Sequence, residues 1–277
     1  MFNPKELTIN SCVEYLQLGY CQIGCNLKPN YADILSWTAK MALEHIAHSD
    51  ALYHNIEHTI LVTLAGQEIL RGKYLLEDGV SCQDWLHFII SLLCHDIGFV
   101  KGVCQQDRVQ ERLYATGIEE VLISIPTGST DASLTLFHVD RGKLFVKEQF
   151  SDHWPLDIGA IERNIELTRF PVPADEEHSD TVNYPGLARA ADLIGQLSDP
   201  YYLQKIPALF YEFEEIGANK DSGVRTPGDL RKNYPNFYKN VALPYIQPAL
   251  RYLDLTVEGK QLIANLYANV SEVEREN

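Results

Sequence analysis

The chain has 277 residues, 45% hydrophobic and 22% charged, which is ample for a large buried core and ordinary for a globular protein. Its formal net charge of −15 repels phosphate backbones and anionic lipid, so nucleic acid polymers and membranes are not expected as partners. A small anionic ester could approach only beside a local cation, a first pointer to metal.

No run approaches the roughly 18 apolar residues of a membrane span. The longest, Phe88 to Cys94, is short and is interrupted by Ser91. The opening Met1-Phe-Asn-Pro-Lys-Glu lacks the basic patch and apolar core of a signal peptide. Six cysteines (12, 21, 25, 82, 94 and 104) form no CxxC pair. They read as reduced, mostly buried thiols in preference to a disulfide or a zinc–thiolate site, and the expected compartment is the cytoplasm.

Helical periodicity runs through nearly the whole chain. Strand-like alternation is short, as at Val121 to Ile125, which also suits a helix end. Breaks fall at Lys28-Pro-Asn, Gly72, Asp78-Gly79, Pro126-Thr-Gly-Ser, Pro171-Val-Pro, Tyr184-Pro-Gly, Asp199-Pro, Pro227-Gly and Pro235. The expectation is an all-α fold of about nine or ten helices in one domain over residues 1–277. The core motifs lie in 53–200, a long surface loop covers 217–236, and the last helices, 236–277, pack on the rest.

Three motifs carry chemistry. In Tyr53-His-Asn-Ile-Glu-His58 the two histidines share one helical face with Leu61, Val62, Ala65 and Ile69. A pair of core or capping histidines fits this motif as well as a site does. In Leu92-Leu-Cys-His95-Asp96-Ile-Gly98 the helix is capped near Ser81 to Asp84, and Gly98 is expected to end it. Adjacent His and Asp side chains that both lean into the core need an object between them, and a divalent cation is one. In Leu187-Ala-Arg-Ala-Ala-Asp192-Leu, Pro185 suits the first helical turn. Asp192 shares a face with Ala188, Ala191 and Gly195, whose smallness lets helices approach closely. Alone, it would more often pair with Arg189. Together the motifs give H…HD…D with gaps of 37 and 96 residues, and two imidazoles plus two carboxylates suit a mid-series divalent ion.

This pattern resembles the HD superfamily of metal-dependent phosphohydrolases. Tyr53-His-Asn-x-x-His58 is similar to the opening motif of class I cyclic-nucleotide phosphodiesterases. Ser133-Leu-Thr-Leu-Phe with Asp140, Glu166-Leu-Thr168, and Ala190-Ala-Asp192-Leu followed by Pro200 and Glu212-Phe extend the likeness. The resemblance implies that His58, His95, Asp96 and Asp192 ligate a divalent ion (Zn, Mn, Fe or Mg). It implies that His54 is the general acid, and that Asp96, catalytic alongside it, would bridge any second ion. The implied substrate is a small phosphomonoester or phosphodiester, a nucleotide for preference.

Departures from that family are visible. The further histidine three residues after its HD aspartate is Phe99 here, its next histidine pair is replaced near Lys147-Glu148, and its purine-gripping glutamine has no counterpart around Tyr238 to Gln247. His138 is a candidate second-metal ligand on a predicted helix, with an interhelical hydrogen bond as the plainer reading; His153 lies near that helix's end. Lys101 and Arg189 could grip phosphate oxygens or pair with a carboxylate near the metal. His45 and His48 read as structural, and His178 as part of a solvated acidic loop. Two other functions stay open: a di-iron oxygenase on the same fold, which needs two more histidine ligands and would be favoured by a ligating His138, and a degenerate nucleotide-binding regulatory module.

Overall fold

The helix Cys82–Cys94 is buried on every side from Trp85 onward, as expected of an element that is apolar all round. The computed structural model describes residues 3–25, 29–77, 79–151 and 155–276; Asp78 and His153 lie outside them. Among the described residues the chain forms α1 (Pro4–Gln22), α2 (Pro29–Ile46), α3 (Ile56–Glu77), α4 (Cys82–Cys94), α5 (His138–Phe150) and α6 (Ile158–Glu166). Then follow α7 (Tyr184–Leu197), α8 (Tyr202–Glu215), α9 (Ala218–Ser222), α10 (Pro227–Phe237), α11 (Leu243–Leu253) and α12 (Val257–Glu276). The protein is all-α, apart from one two-stranded ribbon.

That ribbon pairs β1 (Leu113–Ala115) antiparallel to β2 (Leu122–Ser124), with Tyr114 opposite Ile123. The short alternation at Val121 to Ile125 is therefore a strand. The stretch 217–236, expected as a loop, holds α9 and most of α10. A capping box between Thr226 and Asp229, with Pro227 in the first turn, makes α10 a helix despite its polar composition.

α3 packs on α4, α7 and α11, while α4 also meets α2 and α6. Small residues set the closeness of α3 and α7. A Cβ on Gly195 would lie 2.5 Å from Val62 Cα, and one on Gly66 would meet Leu92 and Ala191. α4 opens with the expected capping box, in which Asp84 N donates to Ser81 Oγ at 3.0 Å and Ser81 N donates to Asp84 Oδ2 at 3.1 Å.

Gly98 plays a different part from the helix stop expected. It sits in a 3₁₀ turn, Ile97–Phe99, and a Cβ there would lie 1.9 Å from the His138 carbonyl oxygen, so its absence lets α5 touch this turn. Arg141 of α5, fully buried, secures the contact. Its Nε donates to Gly98 O at 2.6 Å and its guanidinium forks onto Asp107 at 3.0 and 2.9 Å.

The cysteine expectation is corrected. Cys25, just past α1, and Cys82, at the start of α4, are 57 residues apart in sequence and joined by a disulfide, with Cα atoms 5.5 Å apart. Linear spacing gave no sign of this proximity. Cys12, Cys94 and Cys104 are buried thiols, Cys21 an exposed one. The argument from thiols to a reducing compartment loses its premise. Among the described residues no helix is long and apolar enough to cross a membrane.

Candidate metal centre

His58 is the third residue of α3, whose start is fixed by Asn55: its side-chain oxygen accepts Glu57 N at 2.9 Å and its carbonyl accepts Thr59 N at 3.1 Å. His54 is therefore not on that helix but in the turn before it. Its ring still lies 5.3 Å from that of His58, at 80°. What places it is Glu212 of α8. That carboxylate accepts Tyr53 N at 2.6 Å and His54 N at 3.2 Å on one oxygen, and His54 Nδ1–H at 2.5 Å on the other.

α4 stops at Cys94, and the backbone changes at Asp96 from helix to the 3₁₀ turn. This change lets neighbours His95 and Asp96 aim at one point. Asp192 arrives from α7 along the close α3–α7 contact. His58 Nε2 lies 3.3 Å from Asp96 Oδ2 and 3.3 Å from Asp192 Oδ1; His95 Nε2 lies 3.2 and 3.6 Å from the same two oxygens. His54, His58 and Asp96 form one group whose ligand atoms all lie within 4.8 Å, and His58, His95 and Asp192 form another.

These donors fit a metal. Ligands about 2.1 Å from a zinc-sized ion stand roughly 3.4 Å apart at the corners of a tetrahedron. His95 Nε2 and Asp96 Oδ2 are buried with no hydrogen-bond partner, an arrangement that is costly unless something else engages them. His95 Nδ1 donates to Leu92 O at 2.7 Å, which turns its Nε2 lone pair toward the carboxylates.

The electrostatics agree. Burial alone would raise the Asp96 carboxyl, but the imidazoles of His95, His58 and His54 hold it well below the usual range. Asp192 is lowered in the same way, burial being overcome by His58 and His95. Burial opposes a charge on His54, yet Glu212 overrides it and raises the imidazole to about 9. Solvent reaches the centre past the side chains of Asp192, His54 and His138, which are 20%, 18% and 13% exposed.

The matching family model covers residues 2–276 of the chain and describes Npun_R2479-like proteins. The chain belongs to the Npun_R2479-like family. No curated protein matches it.

In this Npun_R2479-like chain, the remaining expected residues divide. His138 approaches the centre only through Asp96 Oδ1, at 3.8 Å from its Nε2, while its Nδ1 donates to Thr135 O at 2.5 Å. Burial holds its imidazole below the ordinary value. Among the described residues it joins no three-donor group. Lys101 donates to Ser129 O at 2.6 Å and pairs with Asp131 at 3.4 Å, so it takes the carboxylate reading, though not with a metal-site carboxylate. Arg189 is buried, donates to Leu167 O at 2.8 Å and to Asp180 O at 3.4 Å, and covers the Tyr245 ring. Among the described residues it pairs with no carboxylate of the metal centre. His178, expected in a solvated loop, is buried against Asp175 and Glu166 at 2.7 and 3.2 Å.

Two residues were missed as site components. Glu212 was seen only as part of a motif, and its partnership with His54 spans 158 positions. Phe99 was seen only as a missing histidine. Its ring stacks between His54 (4.7 Å, 11°) and His138 (4.5 Å, 22°) and forms one wall of the centre.

Proposed function

We propose that the centre is that of an HD-type metal-dependent phosphohydrolase acting on a small phosphomonoester or phosphodiester, preferably a nucleotide. The observation that supports it is the convergence of His58, His95, Asp96 and Asp192 from three separate elements, with buried lone pairs left unengaged. These four residues would hold a divalent ion, Zn, Mn, Fe or Mg. Such an ion lowers the pKa of water bound to it and polarises a phosphoryl oxygen.

The chain's own residues supply the rest. His54 points its Nε2 edge into the centre because Nδ1 is tied to Glu212, and that carboxylate favours the imidazolium. A protonated His54 there delivers its proton to the departing ester oxygen. Phe99, flat against His54, keeps the ring from turning and keeps solvent from its face. With Lys101 and Arg189 both engaged elsewhere, the phosphate charge is met by the ion and by His54.

The test is a metal analysis of the purified protein joined to a screen of phosphatase and phosphodiesterase substrates. A bound divalent ion and ester turnover that a chelator abolishes are expected. Protein that takes up no ion, or binds one and turns over no phosphate ester, would overturn the reading.

A further inference from the structure

The two candidate imidazole ligands differ at their outer nitrogens. His95 Nδ1 donates to a backbone carbonyl, which fixes its tautomer. His58 Nδ1 is buried and has no hydrogen-bond partner among the described residues, although the residue is only 5% exposed. An imidazole that offers one nitrogen to a metal carries its proton on the other, and a buried N–H without an acceptor is costly.

Beside this ring is a small, partly enclosed cavity whose polar lining, besides His58, is Asn55, Glu57, Asp199 and Lys205, with Leu52, Tyr53 and Leu61 completing it. Neither Asp96 nor Asp192 lines it, and the His58 nitrogen that meets those carboxylates is Nε2. The cavity leaves about 20 Å³ to the centres of water-sized molecules. One water needs roughly 10–15 Å³ by that measure, together with two or more polar partners. Asp199 offers them: it is buried, and its oxygens accept Tyr201 N at 2.8 Å and Lys205 Nζ at 2.6 Å with lone pairs to spare.

We propose that this cavity holds one structural water, which accepts the His58 Nδ1 proton and donates in turn to the Asp199 carboxylate. Asp199 is then a positioning residue of the metal centre, acting through the water and His58. The relay fixes the His58 tautomer and strengthens Nε2 as a ligand, as carboxylates behind ligating histidines do. Lys205, held also by Glu57 at 2.7 Å, keeps the Asp199 carboxylate in place. This inference rests on the metal reading above.

The test titrates metal-free protein with Zn²⁺ against a competing chromophoric chelator. Asp199→Asn keeps the shape and the acceptor for Tyr201 N but removes the charge. It should weaken Zn²⁺ binding by about 10–100-fold. Leu61→Phe, whose larger side chain fills the cavity from its apolar side, should weaken binding in the same direction. Glu258→Gln removes one negative charge from an exposed residue paired with Arg71, far along α3 from the cavity, and its affinity should equal that of wild type. A high-resolution crystal structure should show an ordered water within hydrogen-bond distance of both His58 Nδ1 and Asp199.

Equal Zn²⁺ affinity in wild type and both cavity variants, an equal loss in Glu258→Gln, or a crystal structure without that water would overturn the proposal. Wild-type protein that takes up no ion would instead sink the metal reading itself.

Discussion

Glu212 and His54, 158 residues apart, share a hydrogen bond of 2.5 Å, and the same carboxylate also binds the backbone N–H of His54. One side chain from α8 thus fixes the position of the imidazole and its preference for a proton. His54→Ala should lower turnover of an ester with a poor leaving group by about 10²–10⁴, the usual worth of general acid help. An ester whose leaving group is already very acidic should lose far less, and metal content should hold. Glu212→Gln should show the same leaving-group pattern with a smaller factor. Parallel rates on the two esters, with metal content measured alongside, check this; equal slowing of both esters would make His54 a ligand or a structural residue.

The second prediction concerns the number of ions. Phe99 places carbon between His54 and His138, and a ring stacked at 4.7 and 4.5 Å from its two neighbours keeps both imidazoles from meeting on one ion. On that side Asp96 Oδ1 and His138 Nε2 stand 3.8 Å apart, and among the described residues His138 joins no three-donor group. One ion per chain is expected by mass spectrometry of the dialysed protein. His58→Ala and Asp192→Asn should each release it. Two ions bound at saturation would favour the dinuclear alternative.

Much of this cluster was legible in the sequence because His and Asp on otherwise apolar helices stand out among Leu, Ile and Ala. His95 and Asp96 end an apolar run, and Asp192 lies on a face of small residues, so both aims could be read from periodicity. Relationships across the fold were not legible. No local pattern announces that Glu212 faces His54, or that Cys25 reaches Cys82. Backbone irregularity was hidden for a similar reason: the four-residue spacing of His54 and His58 suits a helix, and only the capping by Asn55 shows that the helix starts between them. α10 was missed because its polar sequence has little apolar periodicity, while its capping box is a local signal that could have revealed it.

The third prediction concerns the support of the HD turn. Arg141 and Asp107 are both buried, and the guanidinium also binds the carbonyls of Gly98, Val100 and Ala115. Arg141→Met would leave the Asp107 carboxylate buried without its counter-charge. Removing one partner of such a pair typically costs about 3–5 kcal/mol. Urea denaturation should show a loss of that size, together with weakened metal retention because the 3₁₀ turn carries the approach to Asp96. A loss under about 1 kcal/mol would mean that the cage is replaceable by apolar packing.

The last prediction is the pH dependence of stability set by His87. This histidine is buried in α4, and its Nε2 accepts the Asp157 N–H at 3.0 Å, which ties α4 to the start of α6. An acceptor nitrogen must be unprotonated, and burial holds the imidazole below its ordinary value of 6.5 despite the pull of Asp157 and the Pro155 carbonyl. The unfolded chain therefore takes up this proton first as pH falls. With more protons bound in the unfolded state, stability rises with pH across that interval. The His87 contribution is thus complete above about pH 6.5 and is lost progressively as pH drops from there toward the folded-state value. His87→Gln can still accept the Asp157 N–H but cannot titrate. Urea midpoints between about pH 8 and pH 5 should fall less steeply for this variant than for wild type. Identical pH profiles for the two proteins would show that His87 carries no proton linkage and that the α4–α6 tie tolerates the charge.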